Sequence, residues 1–124
     1  MVINEAVLRD LENRLGRKRM RLFAAVFREQ LAKVAKVMQA NANDRGVLAR
    51  ETDTLILLAA NMGLGELILL CRNLSTSLRA DADAREIQDR LAVLSAAVDR
   101  ASSAIEDRYP LGDPGPQVAA RQSG

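Results

Sequence analysis

The stretch from Ile87 to Ile105 constrains the fold more than any other part of the sequence. Apolar residues recur in it at alternating intervals of four and three positions. They are Ile87, Leu91, Leu94, Val98, Ala101 and Ile105. This alternation is typical of a helix that packs lengthwise against nearly parallel neighbours. It therefore predicts a bundle of helices.

Two helices are predicted before residue 41. The first covers about residues 3–15 and ends at Gly16, because glycine commonly follows the last turn of a helix. The second covers about residues 18–40. Their inward stripes are predicted to be Leu8, Leu11 and Leu15 in the first, and Phe23, Phe27, Leu31, Val34 and Met38 in the second.

A third and a fourth helix are predicted on either side of a tight turn. Asn43 or Asp44 is expected to cap the third helix, which reaches Met62. Gly63 and Gly65 bracket the turn to the fourth helix. The inward stripe of that helix is predicted to hold Leu67, Leu70 or Cys71, Leu74 and Leu78.

The fifth helix, which carries the stripe from Ile87 to Ile105, is predicted to begin with a variant of the capping box. Asp83 serves as the cap and Glu86 follows three places on. Residues 110–124 hold all three prolines and are predicted to form a disordered tail. Residues 1–109 are thus predicted to form an all-α, up-down four-helix bundle with a short leading helix.

Composition excludes several classes of function. No run of about 18 apolar residues is present, so no membrane span is predicted. The first ten residues lack the order of a secretory signal, and a cytoplasmic location is expected. Cys71 is the one cysteine and is interpreted as a small core residue. Because the chain has no histidine, it lacks the commonest general base and metal ligand, and we predict no metal, no cofactor and no enzymatic activity.

Positive charge is concentrated in the first third of the chain. Residues 1–40 carry nine Lys or Arg against four Asp or Glu, a net of +5, whereas the whole chain has a net charge of +2. The densest cluster is Arg14, Arg17, Lys18, Arg19 and Arg21. Such a cluster can be solvated, or it can bind an acidic protein or nucleic acid. Because no aromatic residues accompany it for stacking on bases, nucleic acid is not predicted as a partner.

The segment DTLILLAANMG at residues 53–63 resembles the central motif of the histidine-containing phosphotransfer (HPt) domain, H-x-L-K-G-x-A-x-x-x-G. Leu55, Ala59 and Gly63 match this motif, and LGELILLCRNLS, which follows, is similar to the family's next helix. The resemblance covers about residues 8–105. It implies an HPt-like bundle in two-component or phosphorelay signalling, whose partner is a response-regulator receiver domain or a histidine kinase.

Three residues depart from the family's pattern. Asp53 stands at the position of the phosphorylated histidine, Ile56 at that of the lysine, and Leu57 at that of the second glycine. Phosphotransfer in the family needs a neutral imidazole nitrogen, and a carboxylate is a poor nucleophile near neutral pH. The resemblance therefore points to a degenerate member, a pseudo-HPt domain that binds without transferring phosphate.

The candidate binding residues are Asp53, Ile56, Leu57, Ala60 and Arg50. Asp53 has three open interpretations: a solvated residue beside Arg50, an interface residue, or a fixed-charge mimic of phosphohistidine. The apolar residues around it indicate a protein interface. Alternatively, the third helix is buried more widely than in the family, by the leading helix or by self-association.

The sequence thus leaves three hypotheses of different kinds. The first is a non-catalytic HPt-like module that docks a receiver domain or a related signalling protein. The second is a structural bundle that forms a homodimer through the apolar face of its third helix. The third, an enzyme or metal protein using Asp53 and Glu51, is disfavoured because metal sites in helical bundles commonly use histidine.

Overall fold

Five helices make up the described part of the chain. The computed structural model describes residues 1–110. The helices are α1 (Glu5–Leu15), α2 (Arg17–Ala40), α3 (Arg45–Asn61), α4 (Gly65–Arg79) and α5 (Ala84–Arg108). Residues 1–110 contain no strand, which confirms the predicted all-α class.

Four of the helices contact one another in a ring. α2 contacts α3, α3 contacts α4, α4 contacts α5, and α5 in turn contacts α2. The hydrogen bonds between α2 and α5 give their relative direction. Arg28 donates to Ser102, whereas Gln39, further along α2, donates to Ser95, which comes earlier in α5. α2 and α5 are therefore antiparallel, and their buried side chains belong to one hydrophobic core.

The short helix α1 packs near one end of this ring. It contacts α2, and the side chain of Leu8 is fully buried. The Glu5 carboxylate pairs with the Arg108 guanidinium at the end of α5. The N–H of Asn4 donates to the carbonyl oxygen of Gly63, between α3 and α4, at 3.0 Å. α1 is thus held at its first turn by the ends of two other helices.

The predicted stripe of α5 is buried along its whole length, from Ile87 to Ile105. In α2 the prediction was wrong at one position: Phe23 is only half buried, and Met20 and Ala24 are fully buried in its place. The start of α2 has apolar residues on two neighbouring faces. The core takes the face that continues through Phe27 at intervals of three and four residues.

In α4 the structure decides between Leu70 and Cys71 as the inward residue, and it corrects the predicted position of Leu78. Cys71 is fully buried, whereas Leu70 is half buried at the edge of the core. Leu78, predicted to face inward, is also half buried, and Ser77 is buried beside it. The Ser77 hydroxyl donates to a carboxylate oxygen of Glu86 at 2.7 Å, so this buried polar group has a partner.

Aspartates cap two of the helices. The Asp44 carboxylate accepts a hydrogen bond from the N–H of Val47 at 3.1 Å, which settles the choice between Asn43 and Asp44. The Asp83 carboxylate accepts from the N–H of Glu86 at 2.9 Å. The Glu86 side chain bonds Ser77 across the bundle, so half of the predicted capping box forms.

None of the helices in residues 1–110 is both long enough and apolar enough to span a membrane. The predicted disordered tail, residues 110–124, lies outside the described residues except for Pro110.

Candidate functional site

The outward face of α3 carries the residues that the sequence singled out. Leu48, Thr52, Leu55 and Ala59 are buried, and their spacing directs one side of α3 into the core. The opposite side therefore faces outward. Arg50, Asp53, Leu57 and Ala60 are exposed on it, and Ile56 is half buried and packs against the core.

Leu57 is the most exposed large apolar residue of α3. Its side chain is 69% exposed. It follows Asp53 by four positions, so the two side chains are neighbours on the same face of the helix. Ala60 continues this face by one further turn. The outward side of α3 thus combines one carboxylate with an apolar segment.

Asp53 also lines a shallow groove of about 420 Å³ between α3 and α4. The α3 wall of the groove is formed by Arg45, Gly46, Ala49 and Asp53, and the α4 wall by Ser75, Leu78 and Arg79. One carboxylate, two guanidinium groups and a hydroxyl therefore line the same depression. Such a groove can receive a partner's side chain of either charge or of mixed polarity.

Two arginines of α3, Arg45 in the groove and Arg50 outside it, differ in how firmly they are held. The Arg45 guanidinium donates to the carbonyl oxygen of Ala82, and a second nitrogen lies 3.8 Å from the Asp81 carboxylate. Arg45 is thus anchored to the loop between α4 and α5. Arg50 pairs with Glu51 at 3.6 Å, but its side chain is 70% exposed. A pair this exposed is weak and can be exchanged for a contact with a partner.

α4 adds apolar surface of its own. Leu69 is 58% exposed, and Ile68 is half buried against the core. Because α3 and α4 pack directly on each other, these side chains belong to the same two-helix layer as Leu57. Leu57 and Leu69 are thus the two most exposed large apolar side chains of this layer.

Cys71, beneath this layer, is a core residue. Burial raises the pKa of its thiol from 9.0 to about 12, so the thiolate is suppressed near neutral pH. Within residues 1–110, no group of three or more Cys, Asp and Glu side chains comes together as metal ligands would.

Sequence reasoning missed the groove partners of Asp53. Arg45 and Arg79 precede and follow Asp53 in the chain by eight and by 26 positions, and Ser75 lies on another helix. These residues line one groove with Asp53 only because α3 packs on α4. The sequence held one relevant signal, the cap at Asp44, which fixes where α3 starts and so places Arg45 in its first turn.

Comparison with known proteins adds no relative: neither a family model, nor a curated protein, nor a solved structure matches this chain.

Proposed function

We propose that this chain is an HPt-like, up-down four-helix bundle that binds a signalling partner through the outward face of α3 without transferring phosphate. The partner class is a response-regulator receiver domain or a histidine kinase. The expected setting is the cytoplasm. The observation that carries the proposal is the exposure of Leu57 one turn after Asp53, the position that the motif resemblance assigns to the phosphorylated histidine.

The packing of the helices supports the fold part of the proposal. α2, α3, α4 and α5 form a closed ring in chain order, and α2 and α5 are antiparallel. The connections between consecutive helices are short, residues 41–44, 62–64 and 80–83. Short connections favour antiparallel neighbours, which is the up-down order.

The chemistry of Asp53 supports binding without transfer. Asp53 is exposed and presents a carboxylate, and the full sequence has no histidine to accept a phosphoryl group on nitrogen. The neighbouring Ile56 and Leu57 replace a lysine and a glycine of the motif with apolar side chains. Binding then relies on apolar contact, for which the exposed Leu57 is the central residue.

The charges around Leu57 define what a partner must offer. Asp53 favours a partner's Lys or Arg, and Arg50 a partner's Asp or Glu, one and two helical turns before the apolar contact at Leu57. A partner held in this way is occupied without receiving phosphate. The chain would then sequester a receiver domain or connect it to another protein.

A binding assay with a matched control tests the surface. Purified receiver domains and kinase domains of the same organism are screened against the wild-type chain, Leu57→Lys and Val93→Lys. Val93 is 53% exposed on α5 and serves as the control because the substitution adds the same charge on another helix. We expect the Kd of a bound domain to rise at least ~tenfold with Leu57→Lys and to be unchanged with Val93→Lys.

Two results would contradict this proposal. One is a Kd that Val93→Lys raises as much as Leu57→Lys does. The other is stable transfer of radiolabelled phosphate from a receiver or kinase to this chain, lost in Asp53→Ala.

A second candidate function is self-association through the same face. Arg50 and Asp53 have opposite charges and lie three residues apart beside Leu57. In a two-fold symmetric pair, Arg50 of one copy can face Asp53 of the other around the two leucines. Light scattering distinguishes the two candidate functions. Self-association predicts a dimer that Leu57→Lys dissociates and Val93→Lys leaves intact. A monomer at tens of micromolar excludes self-association.

A further inference from the structure

α2 carries most of the positive charge of the described chain. It holds seven Lys or Arg residues and one acidic residue, Glu29. Of the seven, only Arg28 forms an ion pair within residues 1–110, with Glu106 at 3.3 Å. The other six are exposed: Arg17, Lys18, Arg19, Arg21, Lys33 and Lys36. The bundle itself therefore leaves most of the charge on α2 without a counter-charge.

The first turn of α2 has a charge pattern that opposes helix formation. Arg17, Lys18 and Arg19 occupy it, no acidic residue is present there, and no side chain caps the helix at Gly16. The start of a helix carries a partial positive charge from its aligned peptide dipoles, so cations there are unfavourable. Residues whose local preference opposes the structure that they adopt are expected at functional sites.

Two exposed aliphatic side chains lie beside these cations. Leu22 and Val26 are 55% and 52% exposed and lie one turn apart. Leu22 follows Lys18 by four positions and Arg19 by three, so it is the next residue along the same side of α2. We call Lys18, Arg19, Arg21, Leu22 and Val26 the basic α2 surface.

We propose that the basic α2 surface binds an acidic, amphipathic helix of a partner protein. The cations supply charge complementarity to Asp or Glu, and Leu22 and Val26 contact the apolar side of that helix. The proposal does not depend on binding at α3, because it rests on different residues of a different helix.

Other anionic partners fit the surface less well. Single-stranded nucleic acid is bound by cations interleaved with exposed aromatic residues, whereas Phe27 and Tyr109 are buried and Phe23 is half buried. Proteins that bind a duplex are commonly strongly basic, whereas the net charge of this chain is only +2. Surfaces that insert into lipid commonly carry exposed aromatic residues as well. The exposed Glu29 follows Leu22 by seven positions on the same face, so it weakens the attraction of this face for an anionic membrane lying along α2. A short helix of a partner protein, by contrast, can lie on the basic α2 surface and end before it reaches Glu29.

The test uses a fluorescein-labelled peptide of about 12 residues, which as a helix covers α2 from its start to just before Glu29 and does not reach Lys33. In this peptide leucine interrupts a glutamate sequence at every third or fourth position. Its affinity for the full chain is measured by fluorescence anisotropy at ~0.15 M salt. The test variant is Lys18→Glu/Arg19→Glu. The control is Lys33→Glu/Lys36→Glu, which makes the same charge change at exposed lysines further along the same helix.

We expect the peptide to bind the wild-type chain, and its Kd to rise at least ~tenfold in the test variant and less than ~twofold in the control. The Tm of the test variant should stay equal to or rise above that of the wild type, because acidic residues suit the first turn of a helix. A Tm that does not fall would rule out unfolding as the cause of lost binding. Absence of peptide binding, or an equal loss in both variants, would overturn the proposal. So would tighter binding of a DNA duplex or of phosphatidylserine vesicles through Lys18 and Arg19.

Discussion

The N–H of Asn4 donates a 3.0 Å hydrogen bond to the carbonyl oxygen of Gly63, and this contact joins the start of α1 to the turn between α3 and α4. The approach is close because residue 63 has no side chain. A Cβ atom at this position would lie 2.7 Å from the Cβ of Asn4 and 3.1 Å from that of Val7. The φ angle of Gly63 is +67°, a left-handed value that also favours glycine.

Gly63→Ala should therefore lower the free energy of unfolding by about 2–4 kcal/mol, since it combines left-handed backbone strain with a steric clash. Gly16→Ala tests backbone strain without a clash. Gly16 has a φ of +81° and a ψ of 160°, a region that essentially only glycine adopts, but open space around its missing Cβ, so strain of about 1–3 kcal/mol is expected. Urea unfolding measures both. A loss of no more than about 1 kcal/mol for Gly63→Ala, the left-handed strain alone, would show that the approach of α1 to Gly63 is not tight.

The two leucines Leu55 and Leu57 should differ sharply in their contribution to stability. Leu55 is fully buried and Leu57 is 69% exposed. We expect Leu55→Ala to cost about 2–5 kcal/mol, and Leu57→Ala to change stability by no more than about 0.5 kcal/mol. Thermal or urea unfolding measures both. A large loss at Leu57 would mean that the bundle covers this side chain and that it is not a free surface.

The ion pair between Glu5 and Arg108 predicts a specific dependence of stability on pH. The hydrogen bond from Arg108 lowers the pKa of the Glu5 carboxyl below its ordinary value of 4.5. A carboxyl whose pKa is lowered by folding stabilises the fold above its unfolded pKa, and this contribution is lost as pH falls through the folded pKa.

Glu5→Gln should accordingly be less stable than the wild type at pH 7, and the difference should shrink as the pH falls below 4.5. Thermal unfolding of both proteins over this pH range measures it. Because Glu5 is exposed, the effect should also weaken with added salt. A difference that is constant with pH would show that the Glu5 charge does not contribute.

The buried Cys71 should be chemically silent in the folded protein. Burial raises the pKa of its thiol to about 12 and shields it from reagents. An aromatic disulfide reagent at pH 8 should therefore label Cys71 only at the rate of unfolding, and at once in urea. Stability should also fall as pH rises above 9.0, because only the unfolded thiol then ionises. Rapid labelling of the native protein would contradict this burial.

The fold was predictable where periodicity and capping agree. The stripe from Ile87 to Ile105 and the caps at Asp44 and Asp83 are local signals, and the structure confirms them. Phe23 was misplaced because the start of α2 has apolar residues on two faces, and local spacing does not say which face meets the core. Met20 and Ala24 meet it through tertiary packing.

The candidate site was predictable only in part. Exposure of Arg50, Asp53, Leu57 and Ala60 follows from the buried stripe of α3. The half-buried position of Ile56 and the groove that Asp53 shares with Arg45 and Arg79 depend on how α4 lies against α3. That arrangement joins residues far apart in the chain, so a single sequence does not encode it in any local pattern.

Methyl NMR of the leucine and valine side chains tests the outward face of α3 most directly. A receiver or kinase domain that binds the wild-type chain is titrated into the labelled protein, and the methyl signals of Leu57 and Val93 are compared. Both side chains are exposed, at 69% and 53%. We predict that the Leu57 signals shift or broaden while the Val93 signals stay in place. A partner that perturbs Val93 and leaves Leu57 unchanged would contradict binding through α3.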